Sequence, residues 1–158
     1  MTAPTLLHPS SESVAVAWLS SWFPVGVATT LPRPGTWPTY SGSIQGFATV
    51  TIVGGALRRG ATHDTALRSP VVSLGTWAAI PGSDNPQWGA AVQLAEGLTH
   101  LAQDGTFVPT LVRPSMKYAP AFVHDIRLNA EPRRVPDQDE SMAHFETEFV
   151  LMWTEYPA

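Results

Sequence analysis

Residues 24–46 constrain the fold more than any other part of this sequence, because proline and glycine are concentrated there. Proline fixes one backbone angle and removes an N–H donor, so a long helix or a central strand is disfavoured. We expect one short strand within residues 25–31 and otherwise an extended arm or loop, and we call residues 24–46 the arm. Its prolines and glycines are Pro24, Gly26, Pro32, Pro34, Gly35, Pro38, Gly42 and Gly46.

Two segments carry apolar residues at helical spacing. The first, residues 11–22, has Ser10 or Ser11 as a possible cap and Pro24 as its end. The second runs to about residue 103, and Asn85 followed by Pro86 predicts its start. The apolar residues of the two helices are Val14, Ala15, Trp18, Leu19 and Trp22, and then Trp88, Ala91, Val92, Leu94, Ala95, Leu98, Leu101 and Ala102.

The remaining patterned segments are typical of β-strands. Residues 47–53 and 71–79 are rich in β-branched side chains, and we expect them to be neighbours. A short strand is expected within residues 107–112, and residues 121–130 and 144–156 should form a hairpin through a turn at 135–141. This order predicts an α+β fold, a mixed or antiparallel β-sheet with two helices packed on one face.

Length and composition limit the organisation further. A chain of 158 residues predicts a single domain spanning 1–158, with residues 1–10 as an N-terminal tail. The absence of cysteine excludes disulfides and thiol chemistry. The N-terminus has no basic region before an apolar run, so no secretory signal is expected, and no apolar stretch is long enough for a membrane span.

Charge is scarce in this sequence. Only 14% of the residues are charged, compared with about 25% in an ordinary soluble domain. Either the surface consists of uncharged polar residues and proline, or other subunits cover it. A net charge of -4 with Lys117 as the single lysine argues against a dedicated nucleic-acid binder.

No arrangement typical of a catalytic, cofactor or metal site is present. His63–Asp64 and His124–Asp125 are adjacent pairs, which in a strand point to opposite faces, and no zinc-ligand spacing occurs. The serines in GSIQG and PGSDN lack the spacing of a nucleophile elbow. We therefore expect no enzyme activity and no cofactor.

Four residues are candidates for subunit contacts. Trp37 lies among prolines with Tyr40 nearby, where no local core is expected, so both are predicted to dock on a neighbouring subunit. Arg58 and Arg59 lie in a predicted loop whose sequence shows no periodic pattern of apolar residues. They are either solvated or, as we predict, part of the same interface.

Acidic residues are concentrated near the C-terminus, where residues 135–158 contain no lysine or arginine. Glu146 and Glu148 should share one side of the last strand, since side chains alternate. Facing a channel, these acids would keep DNA from adhering, whereas facing outward they would only add solubility. The predicted channel-facing residues are Asp137, Asp139, Glu140, Glu146 and Glu148.

Several strings, taken together, resemble the tail terminator proteins of long-tailed bacteriophages, especially those infecting actinobacteria. The similarity covers about residues 14–156. Its most specific parts are TTLP at residues 29–32, RSPVVSLGTWA at residues 68–78 and NPQWGAA at residues 85–91, accompanied by VAWL, GVATTLP and FATVTIVGG.

The resemblance implies a structural protein of the virion. A ring of six copies would cap the finished tail tube and join it to the head–tail connector, with DNA passing through without specific binding. The implied partners are the tail tube and head-closure proteins, and the implied location is the tail neck, after assembly in the host cytoplasm. The alternatives are another neck or tail component, such as a head-closure or tail-tube subunit, and a small-molecule enzyme or binding domain.

Overall fold

The structure, a computed structural model, describes residues 5–57, 67–136 and 141–156. Two helices and seven strands make up this part of the chain. In chain order they are α1 (Ser11–Ser20), β1 (Gly26–Ala28), β2 (Thr39–Ser41), β3 (Ile44–Leu57), β4 (Arg68–Ala79), α2 (Trp88–Gln103), β5 (Thr110–Val112), β6 (Ala121–Arg134) and β7 (Ala143–Glu155).

The seven strands form one mixed sheet in the order β1-β3-β4-β7-β6-β5, and β2 pairs with the beginning of β3. β1 runs parallel to β3, and the other pairs are antiparallel. The expected contacts between the strands at 47–53 and 71–79, and between the two C-terminal strands, are both confirmed.

Both helices pack on the same face of the sheet, which we call the covered face. Trp18 and Leu19 of α1 join Leu94 and Leu98 of α2 in one buried cluster with the sheet. The sheet contributes every second residue of its long strands, because side chains alternate between faces. Its buried members in β3, β4 and β7 are Ala48, Val50, Val72, Leu74, Phe149, Leu151 and Trp153. The predicted α+β class is therefore confirmed.

The helix starts differ in how well the sequence predicts them. Ser10 caps α1 as expected, since its hydroxyl accepts a hydrogen bond from the backbone N–H of Ser13. The predicted start of α2 at Asn85 and Pro86 is wrong. Gln87 occupies the cap position without a side-chain cap, and its amide bonds back to the Asn85 carbonyl, so the turn continues for two more residues.

Several boundaries extend beyond the expectation, because β3 spans Ile44–Leu57 instead of 47–53 and β4 spans Arg68–Ala79 instead of 71–79. β6 continues to Arg134, four residues past the predicted end at 130. The described part of the N-terminal tail is anchored: the Leu7 backbone bonds to Lys117 and Ala119, and the His8 imidazole lies 2.8 Å from the buried Glu155 carboxylate. Backbone pairing to a distant segment holds this tail, and such pairing leaves no periodic signal in the sequence.

Candidate functional site

The sheet face turned away from the helices, which we call the open face, carries most of the described candidate residues. Side chains of Thr49, Ser73, Trp77, Glu148 and Val150 lie on it, and all five are half-buried. An uncovered sheet face that mixes apolar and polar side chains can remain in water or meet a neighbour. It is therefore the first surface to examine for subunit contacts.

Trp37 does not lie where the sequence suggested. Its ring is only 3% exposed and packs against Phe47 and Ala79 of the protein's own sheet, while its indole N–H donates to the Pro32 carbonyl at 2.9 Å. The expectation that Trp37 lacks a local core is wrong, because Phe47 and Ala79 are brought beneath the arm only when β3 and β4 pair. A ring so buried offers almost no surface to a neighbour.

Tyr40 lies at the same edge of the sheet as Trp37, but on the covered face. It is half-buried, packs against the helix-side core, and its hydroxyl donates to the Gln93 side-chain oxygen at 3.4 Å. With Trp37 on the open face and Tyr40 beside α2, the arm passes around the edge of the sheet at the start of β3. Its predicted contact with a neighbour would use exposed parts of the arm, such as residues 33–36 and 41–43.

Glu146 and Glu148 share the open face, as the alternation in β7 predicts, but they do not form a purely negative surface. Arg133 of β6 bonds to the Glu146 carboxylate at 2.7 Å, and Asn129 donates to Glu148 at 3.0 Å. Cross-strand pairing therefore supplies Glu146 with a basic partner from the preceding strand, although residues 135–158 contain no lysine or arginine. Arg127 also lies on this face, opposite Val150.

A tightly packed polar cluster adjoins Glu146 on the open face. The Trp77 and His144 rings stack with centroids 3.7 Å apart, and the Trp77 indole N–H donates to the Thr49 hydroxyl at 3.2 Å. Gly75 makes this possible, because a Cβ there would lie 2.6 Å from the Thr49 hydroxyl oxygen and 3.0 Å from the His144 imidazole. The cluster is packed as a core is packed, although it lies on the side without helices.

The two edges of the sheet are uncovered over part of their length. Within the described ranges, β1 and β2 pair with β3 only up to Thr49, so residues 50–57 of β3 bond to β4 alone. At the opposite edge, β5 pairs only with β6 among the residues the structure describes. Exposed apolar side chains accompany both edges: Val53 is 53% exposed, Leu111 51% and Val108 69%.

A shallow cleft of about 710 Å³ runs along α1, between β1 and the segment after β5. Its lining is mostly small and hydroxyl side chains of α1, together with Glu12, Arg113 and Tyr118.

Some candidate residues lie outside the described ranges, namely Arg58, Arg59, Asp137, Asp139 and Glu140. Across residues 5–57, 67–136 and 141–156, no group of three or more histidine and acidic side chains is arranged to hold a metal ion. Among the helices in those ranges, none combines the length and the apolar character needed to cross a membrane.

Comparison of the sequence with protein-family models gives no match, and comparison with curated proteins gives none either.

Proposed function

We propose that the chain is a structural protein of a virion, a tail terminator whose copies form a ring that caps the tail tube and joins it to the head–tail connector. The observation that carries the proposal is the distribution of uncovered surface. Among the residues the structure describes, one sheet face forms a core under two helices, whereas the other face is covered only where the arm packs Trp37 on it, and parts of both edges have no described partner strand.

The strings that resemble tail terminators support this proposal through their positions. RSPVVSLGTWA coincides with β4, the central strand between β3 and β7, and NPQWGAA leads into the first turn of α2. TTLP follows β1 directly. These strings build the scaffold of the sheet and the arm, so the resemblance concerns the fold of a subunit and supports a structural role.

In such a ring, we place the open face with Glu146 and Glu148 toward the channel. Glu148 bonds to the neutral Asn129 and keeps its negative charge, which would repel passing DNA, whereas Arg127 on the same face would attract it. Arg133 is neutralised by Glu146, which limits its attraction for phosphate. In an assembled ring, carboxylates of these residues on the outer rim, with arginines lining the bore, would contradict this orientation.

Native mass and tube binding test the proposal together. The purified chain should form one discrete oligomer, six copies by the resemblance, or assemble into one when tail tubes from the same particle are added. Fluorescently labelled protein should then mark one end of each tube. Labelling along the whole tube would identify a tail-tube subunit instead, and binding only to the connector would identify a head-closure protein.

A further inference from the structure

We propose that the turn formed by residues 33–36 of one copy inserts into the cleft along α1 of the next copy, where Arg33 faces Glu12. The inference rests on the proposed ring and specifies its subunit contact. A closed ring joins one surface of each copy to a different surface of the next. The turn and the cleft meet this condition, because Trp37 beside the turn packs on the open face, whereas α1 packs on the covered face.

The turn is exposed at all four residues and has a fixed shape. The backbone N–H and the hydroxyl of Thr36 both donate to the Arg33 carbonyl, at 3.3 and 2.7 Å. Gly35 has a φ of 96°, which a residue with a side chain adopts only under strain. At the base of the turn, the Trp37 indole donates to the Pro32 carbonyl. Because the turn already has its shape, docking costs it little conformational entropy.

The cleft matches the turn in size and in hydrogen-bonding groups. Its volume of about 710 Å³ lies within the range of about 300 to 1,000 Å³ that is usual for ligand sites. The hydroxyls of Ser20, Thr29 and Tyr118 line it and form no hydrogen bond with another described residue. The turn presents the Pro34 and Gly35 carbonyls, for which the described ranges supply no donor either. Hydroxyl donors on one copy therefore meet carbonyl acceptors on the other.

The charges of the turn and the cleft are complementary. Arg33 is the only charged residue of the arm, and Glu12 is the only acidic residue that lines the cleft. Both are exposed, and within the described part of the chain neither forms an ion pair. Arg113 lines the cleft on the segment after β5, where it would repel Arg33. The turn should therefore enter with Arg33 on the side of α1, toward Glu12.

Charge reversal tests this contact. Arg33→Glu would place two carboxylates at each contact and Glu12→Arg two guanidinium groups, and like charges oppose association. Each variant should form no discrete oligomer at concentrations at which the wild-type protein is fully assembled, with tail tubes added if the wild type requires them. Both positions are exposed, so a Tm close to that of the wild type should show that each variant folds. Glu96→Arg, at an exposed position on α2, is the control and should leave the oligomer intact.

Combining the two reversals distinguishes a contact between copies from a contact within one chain. The double variant should assemble again, because opposite charges meet with their signs exchanged. An equimolar mixture of the two single variants should also assemble, since copies that alternate around a ring of six place opposite charges at every contact. Mixing would not rescue a pair that forms within one chain. Native mass spectrometry measures the oligomer in each sample.

Single variants that assemble as the wild type does would overturn the inference and leave the proposed ring intact, as would a double variant that stays unassembled. A wild-type protein that forms no discrete oligomer even on tubes would contradict the ring itself, and the inference with it. Ser20→Trp, which fills the cleft from an exposed position, is a second readout and should abolish the oligomer. If it does so while Arg33→Glu does not, a different segment occupies the cleft and the inference is wrong.

Discussion

The covered and open faces of the sheet consist of alternate residues of the same strands, yet they are built for different surroundings. On the covered face, consecutive inward residues of β7 such as Thr147, Phe149, Leu151 and Trp153 are fully buried beneath the helices. On the open face, their neighbours remain half-buried and include glutamates and a valine. Within the described residues, folding buries these residues of the covered face completely, whereas the open face is buried only in part, where Trp37 packs on Phe47 and Ala79.

Replacing a residue of the covered face should have the largest effect. Phe149→Ala removes a ring that contacts Trp18 at 5.8 Å between centroids and should lower the free energy of unfolding by about 3 to 5 kcal/mol. Val150→Ala, the next residue in the same strand on the open face, is the matched control and should cost far less. Urea denaturation of both variants measures the difference, and equal losses would remove the distinction between the faces.

Trp37 lies on the open face but is buried, because the arm packs it against the sheet. Trp37→Ala should cost about 3 kcal/mol, the lower end of the range for a buried aromatic residue, since the helix-side core remains intact. Trp37→Phe keeps much of the packing and loses the bond to Pro32, so it should cost less. Denaturation of the wild-type protein and both variants checks this order. A Trp37→Ala protein as stable as wild type would contradict the burial of the ring.

The polar cluster around Gly75 should tolerate little added volume. Gly75→Ala forces apart Thr49 and His144 and should cost about 1 to 2 kcal/mol, as overpacking generally does. Gly54→Ala is the control, because no atom lies within 4 Å of its added Cβ. Thermal unfolding should show a lower Tm for the first variant alone. A lower Tm for both would show that loss of glycine itself is responsible.

The smallest effect is expected at the exposed ion pair. Arg133→Ala and Glu146→Gln should each cost little, with a coupling of about 0.2 to 1 kcal/mol in a double-mutant cycle. Because added salt screens exposed charges, the coupling should shrink at high ionic strength. A coupling well above this range would show that the ion pair is shielded from water, as it would be on the covered face.

Local patterns were sufficient for most of the fold. The spacing of Val14, Trp18 and Leu19 predicted α1, and Ser10 was a correct cap because capping involves only residues three apart. The start of α2 was misplaced because Gln87 bonds to Asn85 through its side chain. The sequence alone does not decide between a helix that begins after Asn85 and one that begins after Gln87, because residue type does not specify the geometry of this turn.

The candidate site was harder to predict from the sequence, because the contacts that define it join residues far apart in the chain. The burial of Trp37 depends on Phe47 and Ala79, which are brought together only by the register of β3 and β4. Likewise, Arg133 reaches Glu146 only because β6 runs past residue 130 and its register shifts re-align the strand. The alternation of Glu146 and Glu148 was predictable, because it follows from strand geometry alone.

Electron microscopy of the assembled particle that contains this chain tests the central claim most directly. The account predicts a single ring at the junction of tail tube and head connector, in which the open face of each copy is turned toward the channel. Copies repeated along the tube, or a ring in which the helices line the channel, would contradict it.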